Sequence, residues 1–393
     1  MAEQAAPRAS TVTAVPPSRR SVAAVGLLLV VTACDVGSGA APAAGPPPSA
    51  TVAPDAAPDV APMPSTGAPP TGTPPPTGDP SGDDGTLTLA FGGDVHFARQ
   101  LAPLLDDPST ALAELRPYLG EADLAVVNLE TALTTRGAPA PKSFHFRAPP
   151  TALDALAAAG VDVVTMANNH AVDYGAEGLV DTLAARRESP VPVVGVGEDE
   201  ADAYAPALVQ AEGQRVAVLG ATQVPDWTAS TQAAGRSRPG VAVSLDPTRL
   251  VRAVRRARAE ADVVVVYLHW GTDYTGCPDP AQRRTARALA DAGADVVVGT
   301  HAHQVQGSGW LGSTYVGYGL GNFVWWRRNS PVQAASGVLT LTLRGRQVVA
   351  DSWQPLEVSA DGLPRRPGRA RERALLADVK AARECSDLAA AAP

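Results

Sequence analysis

Apolar residues are spaced along this chain in two ways. Thr86 to Phe91, Ala122 to Val127, Val161 to Met166, Arg215 to Leu219, Asp262 to Leu268 and Asp295 to Val298 are short runs rich in valine and leucine, of strand length and suited to burial. Between them, Thr151 to Ala159, Gly175 to Arg187, Pro247 to Glu260 and Pro280 to Ala292 have helical composition, and Asp279-Pro280 offers a cap followed by proline at the first helical position. The phrases Ala159 to Val164 and Ala292 to Val297 read alike: each ends a helix on a glycine, Gly160 or Gly293, and opens a strand. Repeated helix-to-strand units of this kind predict an α/β sandwich. From Gly337 to Val358 the pattern becomes two strands about an Arg344-Gly345-Arg346 turn, expected as an antiparallel pair at the sandwich edge. A last helical pattern, Glu372 to Arg383, has a thin apolar face of Leu375, Leu376 and Val379.

Composition changes the picture at the N-terminal end. The chain carries 37 Pro and 36 Gly in 393 residues, more than one compact domain uses. The excess falls in Ala40 to Gly85, a Pro/Ala/Gly-rich run that cannot bury enough apolar surface to offset its ordering entropy and reads as a disordered spacer. Ahead of it, Arg19 and Arg20 precede an apolar run from Val22 to Val31, shorter than the roughly 20 residues a spanning helix needs and fit for a signal-peptide core. Val31-Thr32-Ala33-Cys34 then resembles a bacterial lipobox, in which Cys34 is lipidated and becomes the mature N-terminus. The expected organisation is a signal peptide and lipobox at 1–34, a linker at 35–85, one catalytic-type domain at 86–360 and a C-terminal helix or tail at 361–393. A protein so built is exported and held by its lipid on the extracellular face of the membrane, with both the general and the twin-arginine export routes open.

A formal net charge of −8 argues against a nucleic-acid partner, which needs clustered Lys and Arg, and the arginines of Arg249 to Arg258 read as a solvated helix face. With Cys34 lipidated, Cys277 and Cys385 remain as a pair in an oxidising compartment, and a disulfide between them would tie the C-terminal helix beside the loop after His269.

The histidines carry the chemistry. All six lie between His96 and His303, and five of them sit just past a predicted strand. In Asp94-Val95-His96 and in His301-Ala302-His303, side chains two apart on extended backbone share a side and can converge on one ion. Asn128-Leu129-Glu130, Asn168-Asn169-His170 and His269 close three further strands. Carboxylate, imidazole and amide oxygen together suit Zn, Mn or Fe, and the absence of cysteine from the set argues against a structural zinc. His145, between Phe144 and Phe146, reads as a strand or loop flank, whereas Trp270, Trp325 and Trp326 are equally fit for core packing or for lining a cleft.

The order of these motifs is similar to the calcineurin-like metallophosphoesterase signature. Within that superfamily, Phe91-Gly92-Gly93-Asp94, Asn128-Leu129-Glu130, Phe146-Arg147-Ala148-Pro149-Pro150, Asn168-Asn169-His170 with Asp173-Tyr174-Gly175, His269-Trp270-Gly271, Gly299-Thr300-His301-Ala302-His303 and Tyr318-Gly319-Leu320-Gly321-Asn322-Phe323 resemble the CapA, or poly-γ-glutamate capsule synthesis, family. The resemblance implies a calcineurin-like α/β sandwich of two mixed sheets flanked by helices, holding two divalent ions. It places Asp94, His96 and His303 on one ion, Asn169, His269 and His301 on the other, and Glu130 between them. It gives His170 the place of the general acid, with Arg147 suited to an anionic substrate and Asn168, Asp173 and Asn322 supporting the site from behind. The chain departs from the phosphoesterase pattern twice: Glu130 stands where Asp is usual, and Ala171 follows His170, so that the next carboxylate is Asp173.

Three functions fit these residues. One is an accessory of anionic polymer synthesis or export that works with capsule-synthesis membrane proteins. Another is a metal-dependent hydrolase of a phosphoester or polymer amide bond. The third is a polymer-binding module that keeps its metals without catalysis.

Overall fold

The computed structural model describes residues 85–393; Cys34, the apolar run before it and the spacer lie outside the described residues. Two mixed sheets form the frame. The first runs Pro364–Arg365, Gln347–Val358, Ala335–Arg344, Thr86–Val95, Leu124–Leu129, Val163–Thr165 and Val193–Val194 in spatial order, with Asn322–Val324 also paired to Thr86–Val95. The second runs Ser308–Leu311, Thr314–Gly317, Val296–His301, Val263–Trp270, Gln214–Thr222 and Ala207–Ala211. Helices Thr151–Ala158 and Gly175–Glu188 accompany the first sheet, and Thr248–Glu260 and Pro280–Ala292 the second. This is the α/β sandwich that the sequence predicts.

Alternation along the strands explains the layering. Leu87, Leu89 and Phe91 of the first sheet and Val263, Val265 and Tyr267 of the second share one buried cluster, which is the layer between the sheets. The residues between them point the other way: Val264, Val266 and Leu268 pack with Leu250, Val254 and Leu289 of the covering helices. Both faces of the central strands are therefore dry, and continuous valine runs result. Full burial of each such side chain contributes about 1.5–3 kcal/mol. Pro280–Ala292 starts on the predicted Asp279 cap, in a reciprocal box with Gln282, and stops at Gly293, whose φ of 103° is left-handed.

The strands extend beyond their apolar runs. Thr86–Val95 takes in Asp94, Val263–Trp270 takes in His269, and Val296–His301 ends on His301. Ladder pairing sets these ends, since Asp94 lies opposite both Asn322 and Asn128, and His269 opposite Thr300 and Thr222. A register shift between Phe91 and Asp94 lets the chain bend through Gly93, where a Cβ would stand 2.0 Å from the Gly321 carbonyl oxygen.

The hairpin of Ala335–Arg344 and Gln347–Val358 is the expected antiparallel pair near the sheet's edge, with only the two residues Pro364–Arg365 paired beyond it, on Glu357 and Val358. The segment 361–393 carries the expected helix and the expected disulfide. Helix Arg369–Glu384 buries Leu375, Cys277 and Cys385 are joined with their Cα atoms 5.7 Å apart, and Ala389 exchanges backbone hydrogen bonds of 2.9 Å with Trp310. Among the described residues no helix is long and apolar enough to cross a membrane.

Candidate metal centre

The predicted ligands meet where parallel strands of both sheets end. Asp94, Glu130 and His303 form one group of facing ligand atoms, and Glu130, His269 and His301 form another, each within 4.8 Å. Glu130 belongs to both. Its carboxylate is fully buried, and neither oxygen has a hydrogen-bond partner. The nearest cationic-type atoms are Nε2 of His269 at 3.5 Å and Nε2 of His170 at 3.6 Å. Burial, with Asp94 close by, pushes the Glu130 carboxyl well above its usual range. An orphaned buried carboxylate costs several kcal/mol unless a cation meets it.

The imidazoles are arranged to ligate. Burial holds His269 at about 4 and drives His301 well below 6.5, so both rings are neutral with lone pairs available. His301 Nε2 faces Asp273 at 3.2 Å, and its buried Nδ1 has no hydrogen-bond partner. His303 Nδ1 is 2.9 Å from Asn322 Oδ1, and Asn322 in turn donates to the Gln333 carbonyl, so a second hydrogen bond orients the ring. His301 and His303 have φ of 93° and 51°, a left-handed backbone that non-glycine residues seldom adopt. Asn169 Oδ1 lies 2.8 Å from His269 Nε2, within reach of the second group. The buried donors, the orphaned Glu130 oxygens and the neutral rings together fit divalent cations.

Further polar side chains brace this set. Asn128 donates to Asp94 Oδ1 at 2.7 Å and sits 3.1 Å from His269 Nδ1. Asn168 donates to Asn128 Oδ1 and the Leu129 carbonyl and accepts the His170 N–H, which fixes the Asn168-Asn169-His170 turn. His170 Nδ1 contacts Asp173 Oδ2 at 2.6 Å, and Lys142 pairs with Asp173 Oδ1 at 2.8 Å while also binding the Asn169 carbonyl. Burial lowers His170 to about 4 against the raising effect of Asp173. Asp173, three residues after His170, thus supplies the carboxylate beside the ring that the following Ala171 cannot. Lys142 and Asp273 carried no sequence signal, since each lies in a loop outside every motif; Asn128 stood within one.

Two predicted residues, His96 and Arg147, are placed differently, and the tryptophans left open divide between core and cleft. His96 joins neither ligand group: its Nδ1 accepts the Ala98 N–H at 3.0 Å, and its ring stacks on Phe146 at 4.4 Å and against Trp325. The two-residue spacing on extended backbone fails because the strand ends at Val95 and the chain turns after it. Arg147 lies over the Tyr174 ring at 4.5 Å and does not line the cleft above the ligands. Trp270 is core, fully buried and bonded to the Tyr318 carbonyl, whereas Trp325 and Trp326 do line that cleft of ≈ 260 Å³ with His170, His301 and His303. His145 has the structural role expected of it, with Nε2 2.6 Å from the Ala140 carbonyl oxygen.

Fold and site define an α/β double-sheet protein with a candidate metal centre of carboxylates and histidines at the ends of its parallel strands. The chain belongs to the bacterial capsule synthesis protein family PGA_cap, whose model matches residues 88–325. It is 34% identical over 248 residues to the capsule biosynthesis protein CapA of Bacillus anthracis, covering 61% of this chain and 59% of that protein. To the PGA biosynthesis protein CapA of Bacillus subtilis it is 32% identical, over 61% of this chain and 64% of the relative. The match therefore spans less than two thirds of either relative. Among solved structures, a phosphatase from Mycoplasma pneumoniae superposes with a TM-score of 0.44 at 14% identity, over 69% of this chain and 94% of that one.

Proposed function

We propose that this chain serves the synthesis or export of an anionic surface polymer of the poly-γ-glutamate type, through a centre that holds two divalent metal ions. Glu130 carries the reading: one buried carboxylate, unpartnered at both oxygens, is common to two ligand groups. Asp94 and His303 would complete one position, and Asn169, His269 and His301 the other. Mn, Zn or Fe bound there would polarise a substrate oxygen and activate water.

A hydrolytic role within that function is favoured by His170. Its Nδ1 is committed to Asp173, so Nε2 is the atom that can hold or pass a proton, and the ring lines the cleft. Lys142 fixes Asp173, and Phe146 with Trp325 forms an apolar wall against bulk water. A module that only bound polymer would have no use for this dyad. The substrate bond would be a phosphoester or an amide of the polymer.

The same proposal places the domain outside the cell, on a lipid at Cys34. The short apolar run before that cysteine supports it. Mass spectrometry of the mature chain should then find a modified Cys34 at its start, and release with Met1 intact would contradict the anchor.

The metal reading is tested by elemental analysis of the purified, reconstituted protein together with a screen of phosphoesters and γ-glutamyl polymers. Two ions per chain are expected, with fewer in His301→Ala. One ion or none, unchanged by that substitution, would remove the proposal.

A further inference from the structure

At the cleft above the ligands stands a guanidinium that the metal reading does not use. Arg327 lines the cleft half-buried, its guanidinium carbon 4.1 Å from the centroid of the Trp326 ring and 5.2 Å from that of Phe144. Arg99 lies 4.2 Å from the same Trp326 centroid. Two guanidinium groups thus lie against one indole. Neither has a hydrogen bond or ion pair to a carboxylate among the described residues.

The other charged side chains of the cleft each have a partner. Lys142 is held by Asp173 and the Asn169 carbonyl. Asp226 caps the following turn by accepting the Ala229 N–H at 3.1 Å, and Asp273 faces His301. Stacking on an indole contributes about 0.5–1 kcal/mol at an exposed site, too little to replace a counter-ion for a half-desolvated guanidinium beside another cation. A guanidinium laid against a ring keeps its N–H edge free, and that edge matches a planar oxyanion with two parallel hydrogen bonds.

We infer that Arg327, backed by Trp326 and Phe144, is a carboxylate-binding subsite that seats an anionic side group of the substrate chain while the bond to be processed lies over Glu130 and His170. The inference rests on the proposed polymer function and gives it a specificity: a substrate must carry a free carboxylate beside the reacting position. Phe144, 44% exposed, and Trp326 offer apolar surface to the methylenes between successive carboxylates.

The test uses the whole protein, metal-reconstituted, with a γ-linked glutamate oligomer as the probe and tryptophan fluorescence and calorimetry as readouts. Binding is expected in the wild type. It should weaken at least about tenfold in Arg327→Gln and on methyl esterification of the oligomer, while Arg327→Lys, with charge but no fork, falls between. Metal content and thermal midpoint of the variants should match the wild type, which separates a lost contact from a lost fold. Oligomer binding within twofold of wild type in Arg327→Gln, or no binding by the wild type, would overturn the subsite. So would inorganic phosphate competing at concentrations where glutarate does not, since the site would then be one for phosphate. If the oligomer binds through Arg327 but fewer than two ions are found, the metal reading fails and the subsite stands.

Discussion

Asp173 Oδ2 lies 2.6 Å from His170 Nδ1 and also accepts the Phe146 N–H at 2.7 Å, so one buried carboxylate orients the candidate acid and pins the wall of its cleft. An amide in place of that carboxylate would remove the charge that settles which ring nitrogen holds the proton. Asp173→Asn should lower kcat by about 10–100-fold, the usual loss when the partner of a functional imidazole is changed, and leave metal content intact. Steady-state kinetics on whichever substrate the screen finds, with elemental analysis of the same sample, decides it; an unchanged kcat would deny His170 its role.

Glu130 makes a crossing prediction. In metal-free protein burial and the neighbouring Asp94 penalise its charge at neutral pH, and Glu130→Gln, of the same shape but uncharged, should stabilise by removing that penalty. In metal-loaded protein the same change removes the shared ligand and should destabilise. Thermal unfolding with a chelator and with added Mn or Zn measures both signs, and a shift of the same sign in both would rule out a cation at Glu130.

His96 and His303 should separate. His303→Ala is expected to lose metal, because the ring belongs to a ligand group. His96→Asn should keep the metal yet lower stability by about 1–3 kcal/mol, since His96 is fully buried against Phe146 and Trp325. Elemental analysis that finds the two variants equally depleted would return His96 to the ligand set.

The Cys277–Cys385 link joins residues 108 positions apart. Chain entropy alone assigns such a cross-link about 4–5 kcal/mol. The double change Cys277→Ser with Cys385→Ser should lower the denaturant midpoint accordingly. It should also loosen the loop that carries Asp273 and Tyr274 to the cleft, read as faster amide exchange there. Equal exchange in both proteins would mean that the loop's hydrogen bonds, from the Tyr274 N–H to the Ala302 carbonyl and from the Gln304 and Gln306 amides to the Tyr274 and Thr275 carbonyls, hold it without the link.

Chain order and residue type are enough to settle the sandwich, the position of most strands and helices, and the chemistry available to the centre. Valine runs of this length suit buried strands, Asp279-Pro280 suits a helix start, and side chains at successive strand ends must gather at one edge of a parallel sheet. The Cys277 and Cys385 pairing is legible too, from a count of three cysteines of which Cys34 is set aside as the expected lipid site. Packing decides which of those side chains meet. Asp94 and His96 are two residues apart, yet one faces the ligands and the other an aromatic box, because the ladder to Asn322 and Asn128 ends between them. Lys142, Asp273 and Arg327 come to the cleft from loops in which nothing is periodic, so no local pattern could announce them. Spacing along the chain fixes which face of a strand a residue occupies. Which charges come into contact depends on how two sheets and their loops close, and that is a property of the packed chain.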